Sequence, residues 1–360
     1  MPAVTDRPAG AAASVVKVDA AALAHARAGR NRRERYIVLG LIGALLTVAA
    51  LSLAIGAYSL SVPDLLRTLA GQGSGSENFI VLSLRLPRLT LAVLVGVAFA
   101  ISGALFQTVL RNPLASPDII GVTGGASAAA VFGMLILGFG SLGTSLAAFA
   151  GAIIVACAIY LLAWRSGVVG YRFVLIGVGV AFMVQGLLGY LLSRAELNDA
   201  QGALLWLVGS VSGARWPSIA VVAVVLIVLL PVIRLADGRL RALQLGDDLA
   251  RSLGVGAERT RLVLLVIAVA LTATATAAVG PLAFVAFVAA PIARRALGTG
   301  GVALIPTALV GALITTVADF TAQHLLPGQL ELPAGIITGA IGAPYLLWLL
   351  ATSNTTGKGA

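Results

Sequence analysis

The sequence predicts an all-α, polytopic membrane protein with about ten membrane-spanning helices. The chain has 360 residues, of which 59% are hydrophobic and only 11% are charged, and its mean hydropathy is +1.02. This composition is far too apolar for a soluble globular domain. The apolar residues also fall into separate runs, most of them long enough to cross a bilayer, which requires about 20 residues. Charged residues are concentrated between these runs.

The first half of the chain contains five of the predicted spans. The alanine- and arginine-rich segment 1–35 lacks a signal-peptide core before its basic cluster and is expected to be a disordered cytoplasmic tail. The first span covers 36–58, and Ser61 and Pro63 then start a short amphipathic helix that ends at Ala70, before a turn at 71–76. Four further spans are predicted at 89–110, 119–138, 142–164 and 173–192, and the third span begins in a small-residue patch formed by Gly121, Gly124, Gly125 and Ser127.

The second half begins with an interrupted stretch, 196–214, whose apolar part is too short to cross a membrane. A re-entrant or interfacial helix fits it best. Spans follow at 219–233, 262–279, 281–292, 302–320 and 333–350. The run 281–292 is short and proline-flanked and is expected to be partly unwound, whereas the last span carries Gly335 and Gly339 at a spacing suited to close packing. The predicted organisation is a ten-helix membrane domain over 36–351, with a cytoplasmic tail at 352–360.

The distribution of basic residues indicates the orientation. If both termini are cytoplasmic, most of the 24 lysines and arginines lie on the cytoplasmic side, as the excess of basic residues in cytoplasmic loops requires. The exceptions are Arg67, Arg85, Arg88, Arg194 and Arg215. The same rule accounts for the net charge of +10, so a nucleic-acid partner is rejected.

The longest charged passage between apolar runs is the segment 234–261, where the protein can meet a soluble partner. Three leucines recur every four residues and predict one apolar face of a short helix. Two aspartates in its first turn and an arginine near its end suit the helix dipole, and two glycines then separate it from a second helix at 258–261. The segment either presses into a groove of another protein or is a solvated loop that only determines topology. These residues are Leu245, Leu249, Leu253, Asp247, Asp248, Arg251, Gly254 and Gly256.

The chain lacks the motifs of several functional classes. No charged residue lies in the middle of a predicted span, whereas ion-coupled carriers usually keep such groups for ion relay, which disfavours a stand-alone secondary carrier. Lys358 is not part of a Walker A motif, and the nucleophile elbow and HExxH motifs are absent. Cys157, His25 and His324 make no metal-binding pattern. The chain is therefore predicted to be no enzyme and to bind no metal or cofactor, and any energy must come from another chain.

Four polar residues are further candidates. Gln107 and Gln185 lie at membrane depth, where such side chains most often bond between helices but sometimes face a conduit. Arg85 and Arg88 lie three residues apart around Pro87 on the predicted outer side. They offer a fixed pair of cations to the carboxylates of an external partner, or they anchor to lipid headgroups.

Motifs in matching order over about Tyr36 to Leu350 resemble the FecCD group of ABC importer permeases. Members of this group carry iron-siderophores, haem and cobalamin across the inner membrane. The motifs are Arg85-Leu-Pro-Arg88, Ile101-Ser-Gly-Ala104 with Gln107, Arg111-Asn-Pro-Leu114, the run Leu245 to Gly254, Gly280-Pro-Leu-Ala-Phe-Val285, Ala290-Pro-Ile-Ala-Arg294, Glu331-Leu-Pro333 and Gly342-Ala-Pro344.

The resemblance implies two permease subunits, a cytoplasmic ATPase dimer that uses ATP and Mg, and an external siderophore-binding protein. It implies ATPase coupling for Leu245, Gly246, Asp247, Asp248, Arg251, Leu253 and Gly254. It implies docking of the binding protein for Arg85 and Arg88, whereas Gln323 stands where the cobalamin permease has a third docking arginine. The fifth span and the stretch after it, including Gly209 and Ser210, match the pore lining and gate of the family.

Three shorter motifs refine the resemblance. Leu162-Ala-Trp-Arg165, Ile176-Gly-Val-Gly179 and Leu205-Trp-Leu-Val-Gly209 are most similar to the second permease subunit of ferric-enterobactin importers. This similarity implies a ferric-siderophore permease of the catecholate type, paired with a sister permease in a heterodimer rather than a homodimer, in the bacterial cytoplasmic membrane. A cobalamin or haem permease of the same family is the alternative.

Overall fold

The computed structural model describes residues 20–56, 58–164, 170–298, 301–324 and 332–353. Within these ranges the chain forms sixteen α-helices and one π-helix, Phe79–Arg85, and no β-strand. The α-helices are α1 Ala20–Ala54, α2 Val62–Leu69, α3 Gly75–Asn78, α4 Leu86–Val109, α5 Pro117–Ile120, α6 Val122–Leu135, α7 Ser141–Ala163, α8 Gly170–Arg194, α9 Leu197–Val208, α10 Trp216–Leu235, α11 Asp237–Gln244, α12 Asp247–Ser252, α13 Ala257–Val279, α14 Val285–Leu297, α15 Leu304–His324 and α16 Ala334–Ser353.

The predicted all-helical membrane architecture is confirmed. Seven segments are long and apolar enough to cross a membrane, namely Asn31–Ala54, Gly75–Val109, Ser141–Ala163, Tyr171–Arg194, Trp216–Leu235, Ala257–Val279 and Leu304–His324. Shorter apolar helices at Val122–Leu135 and Ala334–Leu349, together with α14, account for the other predicted spans. With 14 and 13 residues, α6 and α14 reach only about 20 Å at 1.5 Å per residue and cannot cross a 30 Å core alone.

Helical structure begins earlier than expected at the N-terminal end. Helix α1 begins at Ala20, inside the segment predicted to be a disordered tail over 1–35. The first turns of this helix are rich in alanine, the residue with the highest helix propensity. Residues 1–19 lie outside the described residues, as do 165–169 of the loop before the fifth span and 354–360 of the predicted C-terminal tail.

The start of the second span also differs from the prediction. The turn predicted at 71–76 ends at Ser74, whose side chain and that of Glu77 form a reciprocal capping box at the start of α3. Helical backbone then continues through the π-helix into α4, whereas the span was predicted to begin at Leu89. Pro87 follows the π-helix within this continuous run, at the point where the hydrogen-bonding pattern changes from π to α.

Helix α4 lies at the centre of the bundle. In the most apolar stretch of the segment Gly75–Val109, which includes α4, 72% of the residues are buried. The corresponding share in Asn31–Ala54 is only 6%, so this segment lies at the periphery. Helix α4 packs against α10, α13, α14 and α15. The contact with α15 is close because Gly96 faces Gly311, and a Cβ at either position would overlap the carbonyl of the other.

The predicted small-residue patch lies in a close helix contact. A Cβ on Gly125 of α6 would overlap Val155 and the backbone of Gly151 in α7. Gly121 breaks the third span with φ of 91° between α5 and α6. Of the other predicted small pair, Gly335 lies against the carbonyl of Val208, while a Cβ at Gly339 would meet nothing within 4 Å in the described structure.

Contacts between helix ends define two ends of the bundle. Arg85, before the start of α4, donates to the carbonyls of Leu53 and Tyr58 near the end of α1, at 2.6 and 2.5 Å. Just beyond the other end of α4, Arg111 pairs with Asp247 of the charged loop. We call these the Arg85 end and the loop end.

Candidate functional site

The charged loop 234–261 folds into two short helices, α11 and α12, joined at Gly246. Gly246 and Gly254 have φ of 113° and 76°, values that glycine adopts without the strain that a Cβ would cause. Helix α12 ends before Leu253 and α13 begins at Ala257, as the glycine joint predicted. Helix α11 was not predicted because its polar residues show no clear apolar periodicity.

One side of this loop carries three exposed leucines. Leu245, Leu249 and Leu253 are 60%, 56% and 63% exposed. The side chain of Asp248 is fully exposed beside them, and that of Arg251 is 68% exposed and bonds to Asp248 at 3.3 Å. Clustered apolar side chains on a charged loop are typical of a surface that a protein partner covers. We call Leu245, Leu249 and Leu253 the leucine surface.

Asp247 connects the loop to two membrane helices. It accepts hydrogen bonds from Arg261, at the start of α13, at 2.9 and 3.2 Å, and from Arg111, just after α4. Arg111 also donates to the carbonyl of Leu243 at 2.9 Å. Arg261 is itself buried and also contacts Glu258 at 3.4 Å. Asp247 therefore differs from Asp248, because its carboxylate points into the protein rather than toward a partner.

The two arginines keep Asp247 ionised. Partial burial by itself raises the pKa of Asp247, but the charges of Arg261 and Arg111 and their hydrogen bonds outweigh it, so its pKa lies below the ordinary value. A charge-assisted pair of this kind is stronger than a neutral hydrogen bond. These hydrogen bonds attach the start of α12 to the start of α13.

The far end of α13 meets the interrupted segment at a junction of irregular backbone. Helix α9 ends at Gly209 and α13 ends at Gly280, with φ of 79° and 74°. Ser210 donates its backbone N–H to the carbonyl of Val279 at 2.8 Å, and Gly335 donates to the carbonyl of Gly209 at 3.1 Å. A Cβ on Gly280 would lie 2.5 Å from the carbonyl of Trp206. We call this contact the glycine junction.

The irregular backbone of the glycine junction is enclosed by protein. Non-helical backbone is tolerated at membrane depth only where it is buried in protein or lines a cavity. Gly209, Gly280 and Gly335 are all buried. The predicted gate residues Gly209 and Ser210 therefore lie where α9, α13 and α16 converge, and their role in gating stays a prediction.

The two glutamines at membrane depth have different surroundings. Gln107 is 3% exposed, donates to the carbonyl of Phe287 at 2.9 Å and accepts from Arg294 at 2.5 Å. It connects α4 to α14 in this structure rather than facing a conduit. Gln185 is exposed on α8, on the same broad face as Phe182 and Gly186. The role of Gln107 and Gln185 in the pathway stays a prediction.

Arg85 and Arg88 both have partners within the chain, which the sequence did not indicate. Both carbonyls that Arg85 contacts lie near the end of α1, and its guanidinium packs against Gly56, where a Cβ would overlap it. Arg88 pairs with Asp319 of α15. Each cation is thus used inside the chain, because the helical start of α4 directs both side chains toward neighbouring helices. Their role in docking stays a prediction.

Several residues with clear structural roles were missed from the sequence. Asp319, near the end of α15, is one of the few charged residues within a long apolar segment. This rarity could have marked it from the sequence as a residue with a specific partner. Arg261 gave no such signal, since a basic residue at the edge of a span is common. Gly280 precedes Pro281, a pair that marks a break in a helix but not which segment it meets.

Metal chemistry finds no support in the described part of the chain. No group of three or more histidine, cysteine, aspartate or glutamate side chains could hold a metal ion there. An apolar cleft of about 290 Å³ lies between α7 and α13 and is lined by side chains such as Ile153, Phe173 and Leu265. It is not associated with the charged loop or with the glycine junction.

Known proteins share both this sequence and this architecture. The model of the FecCD transport family matches residues 44–352. The chain belongs to the FecCD transport family. It is 39% identical to the ferric enterobactin transport system permease protein FepG of Escherichia coli, over 89% of this chain and 97% of that protein. It is 42% identical to the achromobactin transport system permease protein CbrC of Dickeya dadantii, over 89% of this chain and 95% of that protein.

The fold also matches a solved relative. A metal-chelate type ABC transporter in an inward-facing conformation superposes with a TM-score of 0.78 at 28% identity, and covers 88% of this chain and 99% of that chain. Sequence and structure agree that this FecCD protein is a multi-pass membrane permease of the ABC importer type.

Proposed function

We propose that this chain is the membrane permease of an importer for ferric siderophores, driven by a separate cytoplasmic ATPase dimer that uses ATP and Mg. The observation that carries the proposal is the continuous connection from the leucine surface to the glycine junction. Asp247 attaches α12 to Arg261, α13 runs unbroken from Ala257 to Val279, and the carbonyl of Val279 accepts a bond from Ser210.

This connection supplies a mechanism for energy coupling. Packed helices move as rigid bodies, so a push on the leucine surface by the ATPase is passed along α13. The glycine junction is held by two backbone hydrogen bonds rather than by a continuous helix. It is the element that opens and closes as the permease alternates between its two conformations. The ferric chelate needs only weak, distributed contacts along the way, which favours its release.

The proposed cargo is a ferric siderophore of the catecholate type. The relatives' names include ferric enterobactin and achromobactin transport, Fe(3+)-citrate import and iron(3+)-hydroxamate import. A catecholate siderophore is preferred over the other iron chelates because the three shorter motifs and the 39% identity both relate this chain to a ferric enterobactin permease. Cobalamin or haem is the alternative within the family.

Uptake of radiolabelled iron tests both cargo and coupling. Cells that lack the gene receive ferric catecholate, hydroxamate or citrate separately, with haem and cobalamin as controls. Loss of catecholate uptake alone, restored by the intact gene, supports the proposal. Loss of haem or cobalamin uptake instead contradicts the proposed cargo.

A matched pair of glycine variants tests coupling in the same cells. In Gly254→Leu the leucine must adopt φ of 76°, which strains the backbone. In Gly256→Leu the leucine has φ of −68°, a value that it adopts readily. Neither Cβ position has a neighbour within 4 Å in the described structure. We expect Gly254→Leu to abolish uptake at normal protein levels and Gly256→Leu to retain it. Equal uptake by both variants contradicts the role of the α12 segment in coupling.

A second permease subunit is proposed to cover α8, and a sister permease is favoured over a second copy of this chain. The exposed face of α8 includes Gly179, Gly186 and Gly189, where a Cβ would meet nothing within 4 Å in the described structure. Glycines on a membrane helix allow a partner helix to approach closely. Cysteine cross-linking from Gly186→Cys in a Cys157→Ser background tests this arrangement. Cross-links between copies in cells that lack the sister subunit contradict the heterodimer.

The proposed orientation has both termini in the cytoplasm of a bacterial cell, so the leucine surface faces the ATPase and the Arg85 end faces the external binding protein. A stand-alone secondary carrier is the rival from another class. Purified protein in liposomes without an ATPase distinguishes the two. Transport driven by an ion gradient alone contradicts the ABC importer mechanism.

A further inference from the structure

A basic groove lies at the loop end of the bundle, away from the leucine surface and the glycine junction. It has a volume of about 510 Å³ and lies between the start of α1 and the last turn of α14. Arg33 forms its base, since it donates to the carbonyl of Ala296 at 2.9 Å and packs against Gly298. The groove is lined by Gly29, Arg32, Arg33, Tyr36, Ile37 and Ala296.

The arginines around this groove form no ion pair with any acidic residue that the structure describes. Among the described residues, no ion pair to a carboxylate is formed by Arg32, Arg33, Arg35 or Arg295. Arg32 instead lies over the ring of Tyr36, with its guanidinium carbon 5.7 Å from the centroid. The arginines of the 234–261 loop and its flanks differ, because several of them pair with aspartates at 2.9 to 3.6 Å. The groove therefore carries positive charge that no carboxylate of the described residues neutralises through an ion pair.

The position of the groove relates it to the bilayer. It lies at the start of the apolar segment Asn31–Ala54, and Tyr36 is the type of residue that sits at headgroup depth. Beyond Tyr36, Leu39, Ile42 and Leu46 are exposed at helical spacing along α1. These side chains form an apolar track that continues from the basic groove into the membrane.

The basic groove also borders a second aromatic residue. Arg295, next to Ala296, is exposed and lies with its guanidinium carbon 4.2 Å from the ring centroid of Trp348 in α16. Trp and Tyr together mark the membrane interface on both sides of the last turn of α14. Basic pockets between membrane helices that combine these features bind anionic headgroups.

We propose that the basic groove binds the phosphate of an anionic phospholipid, with the acyl chains along Leu39, Ile42 and Leu46. The phosphate neutralises Arg32 and Arg33, and the lipid joins the start of α1 to the end of α14. A zwitterionic lipid carries the same chains but no net negative charge, so it binds the groove less tightly. The proposal is independent of the transported cargo and of the ATPase.

Native mass spectrometry of the purified full-length protein tests the proposal. Dioleoyl-phosphatidylglycerol and dioleoyl-phosphatidylcholine are offered at equal concentration. We expect phosphatidylglycerol to remain bound and phosphatidylcholine to be lost on activation. Equal retention of both lipids overturns the proposal, because it indicates apolar adhesion alone.

Paired variants locate the site. Arg32→Gln with Arg35→Gln removes one exposed arginine that lines the groove, Arg32, and the exposed Arg35 that precedes the lining residue Tyr36 in α1, and it leaves the contact between Arg33 and Ala296 in place. Arg239→Gln with Arg259→Gln changes the net charge equally at two exposed arginines of the loop. We expect apparent affinity to fall by about fivefold for each groove arginine removed and to stay the same in the loop pair. An equal decrease in both pairs overturns the assignment to the groove.

A competition experiment distinguishes a lipid site from a site for a free anion. Excess inorganic phosphate is added to the complex with phosphatidylglycerol. Retention of the lipid supports a lipid site, because the acyl chains contribute to binding. Displacement of the lipid by phosphate overturns it and leaves a site for free phosphate. None of these readouts involves transport, so failure of the proposed function would not change them.

Discussion

Arg88 and Asp319 form a bidentate ion pair that joins α4 to α15 at the Arg85 end. The Nε atom of Arg88 donates to both carboxylate oxygens at 3.1 and 3.0 Å, and one terminal nitrogen donates to Oδ1 at 2.9 Å. Gln323 donates to Oδ2 at 2.8 Å. The side chains of Arg88 and Asp319 are 13% and 7% exposed. The pair lies beyond the close contact of Gly96 with Gly311 and holds the same two helices together.

Replacement of one member of this pair should destabilise the protein strongly. Asp319→Asn leaves the buried Arg88 cation without its counter-ion, and breaking a buried pair in this way costs about 3–5 kcal/mol. Thermal unfolding of the solubilised protein measures the loss. The double variant Arg88→Gln with Asp319→Asn should be less destabilised than the sum of the two single variants. Strict additivity, or unchanged stability of Arg88→Gln, would show that the pair is not a structural connection.

The neighbouring residues Asp247 and Asp248 should respond differently to the same substitution. The pKa of Asp247 lies below its ordinary value of 3.8, so the stabilisation from its ion pairs is present above about pH 4 and is lost as the pH falls through the lower folded pKa. Asp247→Asn should therefore lower the unfolding temperature at neutral pH and flatten its dependence on pH below about 4. Asp248→Asn, at a fully exposed side chain, should change neither quantity. Identical pH profiles of wild type and Asp247→Asn would contradict the contacts with Arg111 and Arg261.

The leucine surface should matter for ATPase binding but not for folding. Leu249→Ser removes a 56% exposed side chain from its centre, so the free energy of unfolding should change by less than about 1 kcal/mol while co-purification of the ATPase is lost. Leu66→Ser is the matched control, since Leu66 is 62% exposed on the amphipathic helix α2 at the Arg85 end. This control should retain the ATPase. Loss of the ATPase in both variants would point to a general defect of the membrane domain.

The sequence was sufficient to locate the membrane spans and part of the site. Apolar runs and their breaks located every span, and the glycines of the charged loop predicted the joint after α12. Local patterns could not show that Arg88 pairs with Asp319, 231 residues away, or that Gly209 meets Gly280. Such pairs depend on which helices become neighbours, and in a uniformly apolar sequence the packing of small residues decides this.

Substitution of the two glutamines at membrane depth should have different effects, with Gln107→Leu lowering stability and Gln185→Leu altering transport. Gln107→Leu removes the acceptor of Arg294 and the donor to Phe287, so the partly buried arginine loses a partner at a cost of about 1–3 kcal/mol. Gln185→Leu changes an exposed side chain on α8 and should leave the unfolding temperature unchanged while altering the rate of iron uptake. Both quantities are measured on the same preparations, by thermal unfolding and by uptake in proteoliposomes. A stable Gln107→Leu protein with impaired uptake would assign Gln107 to the pathway instead.

The glycine junction should tolerate no side chain at Gly280. A Cβ at position 280 would lie 2.5 Å from the carbonyl of Trp206, and the alanine backbone would have to keep φ of 74°. Gly280→Ala therefore combines a clash with backbone strain of about 1–3 kcal/mol. The carbonyl of Val279 is then displaced from the N–H of Ser210, and the end of α13 no longer moves α9. We expect uptake to be lost and ATP hydrolysis by the assembled complex to continue uncoupled. Gly40→Ala, in α1, where nothing lies within 4 Å of the new Cβ, should keep both activities. If Gly280→Ala transports normally, the connection from the charged loop through α13 to the junction does not carry the coupling.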